Sequence, residues 1–168
     1  MLALVDADII IYEAAHRAQF ADEWDEGEFA FSASLPNAQA DFAGCIEKIM
    51  KAVGATDSVL ALTDSDRNAN FRRGIYPPYK NKRSKASNHR PLLYSALRQW
   101  CRETYNVNQK HGIEADDTLG SLATADLAAL PPKDQRVICS IDKDLDTVPG
   151  LHYNWRKSED GVYFVGPP

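Results

Sequence analysis

The sequence predicts an α/β fold, with a mainly parallel central sheet flanked by helices. Three observations predict it. Apolar runs of strand length recur at "LALV" (2–5), "SVLALT" (58–63) and "RVICSI" (136–141). Segments with the apolar spacing of helices separate them. Acidic residues follow each run, at the end of the strand where open parallel sheets bind their ligands.

The elements follow in order. After the first strand, "IIIYEAAHRAQF" (9–20) reads as a helix and "DEWDEGE" (22–28) as an acidic turn. "LPNAQADFAGCIEKIMKAVG" (35–54) is an amphipathic helix, with Phe42, Cys45, Ile46, Ile49 and Met50 at helical spacing. Pro36 suits its first turn and Gly54 its stop. Past the second strand, Pro77 and Pro78 exclude a regular helix through "YPPYK". "RPLLYSALRQWCRETY" (90–105) is helical, with Leu93, Leu97 and Trp100 on one face. "IEADDTLGSLATADLAAL" (113–130) is a further helix, ended by Pro131 and Pro132. Strands are expected at 136–141, at "LHYNW" (151–155) and at "GVYFV" (161–165).

The length suits one domain with one sizeable core, spanning 1–168. No apolar run approaches the ~20 residues of a membrane span, and the N-terminus, "MLALVDADIII", has no basic n-region and no small-residue cleavage site, so no signal peptide is expected. Cys45, Cys101 and Cys139 are odd in number and lack metal-finger spacing, so a disulfide framework is not expected and a reducing cytoplasmic setting is. The four histidines, His16, His89, His111 and His152, are scattered and are assigned structural or surface roles. The net charge of −5 argues against a nucleic-acid partner, but the distribution argues for one. Arg67, Arg72, Arg73, Lys80, Lys82, Arg83, Lys85, Arg90, Arg98 and Arg102 lie in a segment (67–102) without a single Asp or Glu. A basic segment in an otherwise acidic chain points to a polyanion; the competing reading is a solvated charged loop.

Asp6 and Asp8 follow the first strand, Asp64 and Asp66 the second, and Asp142, Asp144 and Asp146 the third. Glu114, Asp116 and Asp117, in "GIEADD", begin a helix that packs on the same sheet. Taken singly, each group has a bland explanation in the helix dipole or in turn chemistry. Gathered at one edge they would repel, and hard divalent cations such as Mg²⁺ or Mn²⁺ relieve that repulsion. A carboxylate site beside a basic segment describes metal-assisted phosphodiester chemistry, in which two ions activate a water and stabilise the leaving oxygen.

"FRRGIYPPYKNKR" (71–83) resembles a motif of the 5′-nucleases: flap endonucleases, the 5′-nuclease domains of bacterial DNA polymerase I and the phage-type 5′→3′ exonucleases. "LVDAD", "LALTDSD", "GIEADD" and "SIDKDLD" are similar to the family's other motifs, in the family's order, and "YEAAHRAQFADEWDE" resembles the phage exonucleases. The resemblance implies a resolvase-like (PIN-like) core in which 67–102 forms a basic arch and 81–90 its mobile part. It implies a Mg²⁺- or Mn²⁺-dependent nuclease, monomeric, acting on 5′ ends or 5′ flaps of DNA in replication or repair, with RNA–DNA hybrids as further substrates. It assigns Asp6, Asp64, Glu114, Asp116, Asp117, Asp142 and Asp144 to the metal centre, while Asp8, Asp66 and Asp146 fall where the family varies. Lys80 and Arg83 would act catalytically by neutralising charge at the scissile phosphate. Arg72, Arg73, Tyr79, Lys82 and Lys85 would bind DNA, Arg72 by holding a backbone phosphate or, alternatively, supporting the site, and Tyr79 by stacking on a base or, alternatively, packing beside Pro78.

The family pattern continues into a helix–hairpin–helix-type module with two further Asp ligands. This sequence carries neither, so a fragment or a short form with an incomplete second ion site is expected. Two alternatives compete. "VDADI" also fits the nucleophile motif of haloacid dehalogenase-like phosphatases, with Asp6 as nucleophile, but that reading leaves "FRRGIYPPYKNKR" and "GIEADD" unexplained. The other is a non-catalytic relative that binds branched DNA. A PIN-type ribonuclease is compatible with the same fold.

Overall fold

The computed structural model describes residues 1–66, 69–77, 79 and 90–166. In chain order the strands are β1 (Leu2–Asp6), β2 (Gln19–Asp25), β3 (Glu28–Ala33), β4 (Asp57–Leu62), β5 (Val107–Gln109), β6 (Arg136–Cys139), β7 (Gly150–Tyr153) and β8 (Val162–Val165). The α-helices are α1 (Ala7–Arg17), α2 (Leu35–Val53), α3 (Phe71–Ile75), α4 (Tyr94–Thr104) and α5 (Ala115–Thr124).

The main sheet runs β5-β4-β1-β6-β7-β8. Every neighbouring pair is parallel except β7 with β8. β1 sits in the middle and is buried along its whole length. Its apolar run is continuous because helices cover both faces of the sheet. Ala3 and Val5 point to one face, where Ile10, Phe42, Ile49, Leu97 and Cys101 from α1, α2 and α4 complete the core. Leu2 and Leu4 point to the other, against Leu119 and Leu122 of α5 and against Leu145. Phe42, Trp100 and Tyr105 meet edge-on at centroid distances of 5.5 to 6.0 Å, which joins α2 to the end of α4.

Helix α2 forms as its sequence dictates. Ser34 Oγ accepts from the Asn37 N–H at its start, and Gly54 takes the left-handed conformation at its end (φ 63°). Elsewhere the structure departs from the sequence expectations. The first helix stops at Arg17, and 22–28 is not a simple turn. β2 and β3 form an antiparallel hairpin around Glu26–Gly27, where Gly27 has φ 80°. Phe20, Trp24, Phe29 and Phe31 are exposed on it. No strict alternation of apolar and polar residues marks the two strands: Ala21, Asp22 and Glu23 separate Phe20 from Trp24, and Ala30 separates Phe29 from Phe31. β5, a three-residue edge strand, carries too few residues to show a pattern.

The helix expected over 113–130 ends at Thr124. The cause is Arg136, a buried residue at the start of β6. Its guanidinium donates to the carbonyls of Leu122 (2.8 Å), Ala125 (2.7 Å) and Pro131 (2.6 Å). These bonds satisfy the helix's last carbonyls and the chain that follows, so the backbone turns away there. Among the described residues no helix is long and apolar enough to cross a membrane.

Replacing Arg136 by Met should leave these carbonyls without a donor. The expected cost is roughly 2–4 kcal/mol, read from urea unfolding. A loss under ~1 kcal/mol would mean that water replaces the guanidinium.

Candidate active site

In a parallel sheet the strands end on one edge, and here β1, β4 and β6 end side by side. Asp6 is the last residue of β1 and is 4% exposed. Its Oδ2 accepts from Ser140 Oγ (3.0 Å), and Ser140 Oγ in turn accepts from the Asp142 N–H (3.1 Å). Burial, and after it the charges of Asp8 and Asp116, push the Asp6 carboxyl up to about 7. The Ser140 bond offsets only part of this.

At the end of β4, the Thr63 N–H donates to Asp8 Oδ2 (2.9 Å), and Thr63 Oγ1 accepts from the Ala115 N–H (3.1 Å). Helix α5 therefore gets its N-terminal partner from a neighbouring strand rather than from its own cap residue, Glu114. Asp64 accepts from the Gly112 N–H (2.7 Å) and the Asp66 N–H (3.2 Å), and its N–H donates to the Ile113 carbonyl (3.1 Å). His111 Nδ1 lies 3.0 Å from Asp64 Oδ2. Backbone donors first, then His111, hold Asp64 below the usual carboxylate range. Gly112 has φ 71°, and a Cβ there would sit 2.6 Å from the Ala69 carbonyl oxygen. Both constraints demand glycine at the start of "GIEADD".

The three carboxylates of that motif have separate environments. Glu114 accepts from Asn70 Nδ2 (2.8 Å), Arg72 Nη1 (3.2 Å) and Tyr79 Oη (3.2 Å). Asp117 takes the Arg72 guanidinium on both oxygens, at 2.7 and 2.6 Å. Asp116 lines the cleft and faces Asp6 electrostatically. The Arg72 guanidinium also lies 5.7 Å from the centre of the Tyr79 ring. Of the two roles the resemblance leaves to Arg72, support of the site and a hold on a backbone phosphate, its bonds to Asp117 and Glu114 match the first, and Tyr79 is tied to Glu114.

The cleft has a volume of about 540 Å³. Asp6, Asp8, Asp64, Asp66, Glu114, Asp116 and Asp142 line it together with Arg73, Arg90, Arg98, Arg102, Tyr79 and Tyr94. Asp117 and Asp144 are not among the described lining residues; Asp144 is exposed and donates its N–H to Asp142 Oδ1 (3.0 Å). Asp146 accepts from Tyr163 Oη (2.8 Å). Lys80, Lys82, Arg83 and Lys85 lie outside the described residues. Arg98, Thr63, Ser140 and His111 are contributors that the sequence reading missed. Arg98 was read as one charge of a basic segment, yet it is 6% exposed and bonds Asp8 Oδ1 at 2.7 Å. The hydroxyls carry no sequence signal of their own beyond following a strand.

Among the described residues, no three Asp, Glu, His or Cys side chains close into a ligand set as they stand. The donor chemistry nevertheless fits a hard cation. All the clustered donors are carboxylate oxygens, and Asp6 is pushed up to about 7 by its burial first and by the charges of Asp8 and Asp116 after it. Asp6, Asp64, Asp116 and Asp142, from four separate segments, are the residues that fit it.

Two outcomes follow. A folded-state value of about 7 against 3.8 for Asp6 makes the metal-free protein lose stability as pH rises from about 4 through 7. Asp6→Asn should flatten that slope and add on the order of 2–4 kcal/mol at pH 8, measured by urea unfolding across pH. Gly112→Ala should cost at least ~2 kcal/mol and weaken the loop that holds Asp64. Wild-type stability in that variant would show that the loop relaxes freely.

Comparison with known proteins agrees with this geometry. The family model for the 5′–3′ exonuclease N-terminal resolvase-like domain matches residues 1–154. The exodeoxyribonuclease of Enterobacteria phage T3 is 27% identical over 159 residues, 92% of this chain and 51% of the relative. The exonuclease of Escherichia phage T7 is 28% identical over 162 residues, with the same coverage. The chain thus spans about half the length of the curated relatives it matches. Among solved structures, a phage T5 protein co-crystallised with metal ions superposes with a TM-score of 0.62 at 14% identity, covering 96% of this chain and 56% of the other. The phage T5 flap endonuclease in a pseudo-enzyme–product complex with DNA and metal ions gives 0.60 at 17%, covering 96% and 57%. These structures share the fold. The family match runs through both segments that the phosphatase alternative leaves unexplained. The chain belongs to the 5′–3′ exonuclease family, whose N-terminal resolvase-like domain it carries.

Proposed function

We propose that this domain hydrolyses phosphodiester bonds at 5′ ends or 5′ flaps of DNA, in replication or repair, with Mg²⁺ or Mn²⁺ as cofactor. One observation carries the reading: carboxylates from four separate segments line a single cleft that arginines line as well. The names of the phage relatives, and the T5 complex with DNA and metal ions, support the choice of substrate and cofactor.

On this reading Asp6, Asp64, Asp116 and Asp142 hold the metal, with Glu114 reaching it while braced by Asn70, Arg72 and Tyr79. Bound divalent ions supply a nucleophilic water at neutral pH and screen the leaving oxygen. The chain's own residues do the rest. Asp117 fixes Arg72, and Arg72 orients Glu114. Arg73, Arg90 and Arg102 offset the charge of the incoming backbone. Asp144 holds Asp142 in place through its backbone N–H. Lys80 and Arg83 meet the charge that develops at the scissile phosphate. Lys82 and Lys85, outside the described residues, are assigned to DNA binding.

The test uses a 5′-labelled flap, a blunt duplex and a matched RNA flap, with Mg²⁺ and then with EDTA. Cleavage should require the metal and fall roughly 10³-fold in Asp64→Asn and in Asp116→Asn. Cutting that survives EDTA or both substitutions sinks the assignment. Preference for the RNA flap would turn the reading to a ribonuclease.

A further inference from the structure

We propose that Arg98 is a positioning residue that reserves Asp8 from metal binding, so that the two form a self-cancelling ion pair in the wall of the cleft. The inference rests on reading the cleft as a metal centre. Asp8 lies two residues beyond Asp6, lines the same cleft and has 22% of its side chain exposed. By position alone it is a candidate ligand. The geometry removes it from that role. Asp64 also accepts on both oxygens, but from backbone N–H groups that leave its charge in place, whereas Asp8 Oδ1 meets the Arg98 guanidinium Nη1 at 2.7 Å, which cancels its charge, and Oδ2 accepts from the Thr63 N–H at 2.9 Å.

Arg98 is committed just as fully. Its Nη2 donates to the Thr63 carbonyl, and its Nη1 also lies 3.3 Å from Tyr94 Oη. Its Nε is buried without a hydrogen-bond partner among the described residues, a cost that a side chain placed only to meet solvent or DNA would not bear. One guanidinium thus joins α4 to the start of α1 and the end of β4. Thr63 then passes the constraint to the first N–H of α5. Each of these segments except α4 carries a carboxylate of the cleft. A buried ion pair is fragile to loss of one partner and tolerant of loss of both. That asymmetry supplies the test.

The full chain is titrated with Mn²⁺ by calorimetry, without DNA, beside Arg98→Met, Asp8→Asn and the double variant. Arg98→Met exposes an uncompensated carboxylate to the cleft and should bind Mn²⁺ roughly tenfold more tightly, or take up an extra equivalent. Asp8→Asn leaves an uncompensated cation and should bind more weakly. The double variant removes no net charge and should return to within about threefold of wild type. If Asp8 is a ligand, the double variant stays at least ~10-fold weaker, and the proposal falls. The double variant keeps side chains of similar shape, so it decides the question even where Arg98→Met does not fold. Wild-type protein that takes up no Mn²⁺ overturns the metal reading together with this one. Wild-type binding with unchanged Arg98→Met binding overturns this one alone.

Discussion

Like charges brought together by a parallel sheet are the constraint on which the rest of this structure depends. β1, β4 and β6 must end on the same edge because they run in the same direction. The sequence ends or follows each with Asp, so folding concentrates negative charge where the backbone leaves little room to disperse it. Asp6 bears most of this, being both buried and flanked by Asp8 and Asp116. The fold tolerates the arrangement by local means: a hydroxyl from Ser140, backbone N–H groups on Asp64, and a guanidinium on Asp8.

The two arginines divide the carboxylates into two sets. Arg72 takes Asp117 on both oxygens and braces Glu114, while Arg98 takes Asp8. Each is a permanent charge inside the fold, since guanidinium does not deprotonate in proteins. Asp6, Asp64, Asp66, Asp116 and Asp142 line the cleft beside them. The arginines thus offset internally, at Asp8, Asp117 and in part at Glu114, the kind of repulsion that a divalent ion is proposed to offset at Asp6, Asp64, Asp116 and Asp142. Asp8, Asp117 and Glu114 are thereby held in place by the protein's own cations.

Much of this was legible in the sequence because it follows from period and topology. The apolar runs at 2–5, 58–63 and 136–141 are strands, and the acidic residues after them share an edge by the geometry of parallel strands. "GIEADD" was legible as a helix start, and Gly112 proves to be fixed by its φ and by the Ala69 carbonyl. What escaped depends on tertiary partners. Arg136 ends α5 from a distant strand, and nothing between 113 and 130 announces it. Arg98 looked like one charge of a basic run, and only the packing of α4 against α1 turns it inward. The β2–β3 hairpin was hidden because its aromatic residues are exposed and follow no strict apolar–polar alternation, on a strand pair rich in acids.

The central claim is that the carboxylate edge is built around a divalent cation. Anomalous diffraction from crystals grown with Mn²⁺ tests it most directly. The account predicts a Mn²⁺ peak in the cleft, with Asp6 and Asp116 drawn onto it and the Arg98–Asp8 pair intact. A cleft without a peak, or Mn²⁺ bound elsewhere while Asp6 keeps its contact with Ser140 alone, would contradict it.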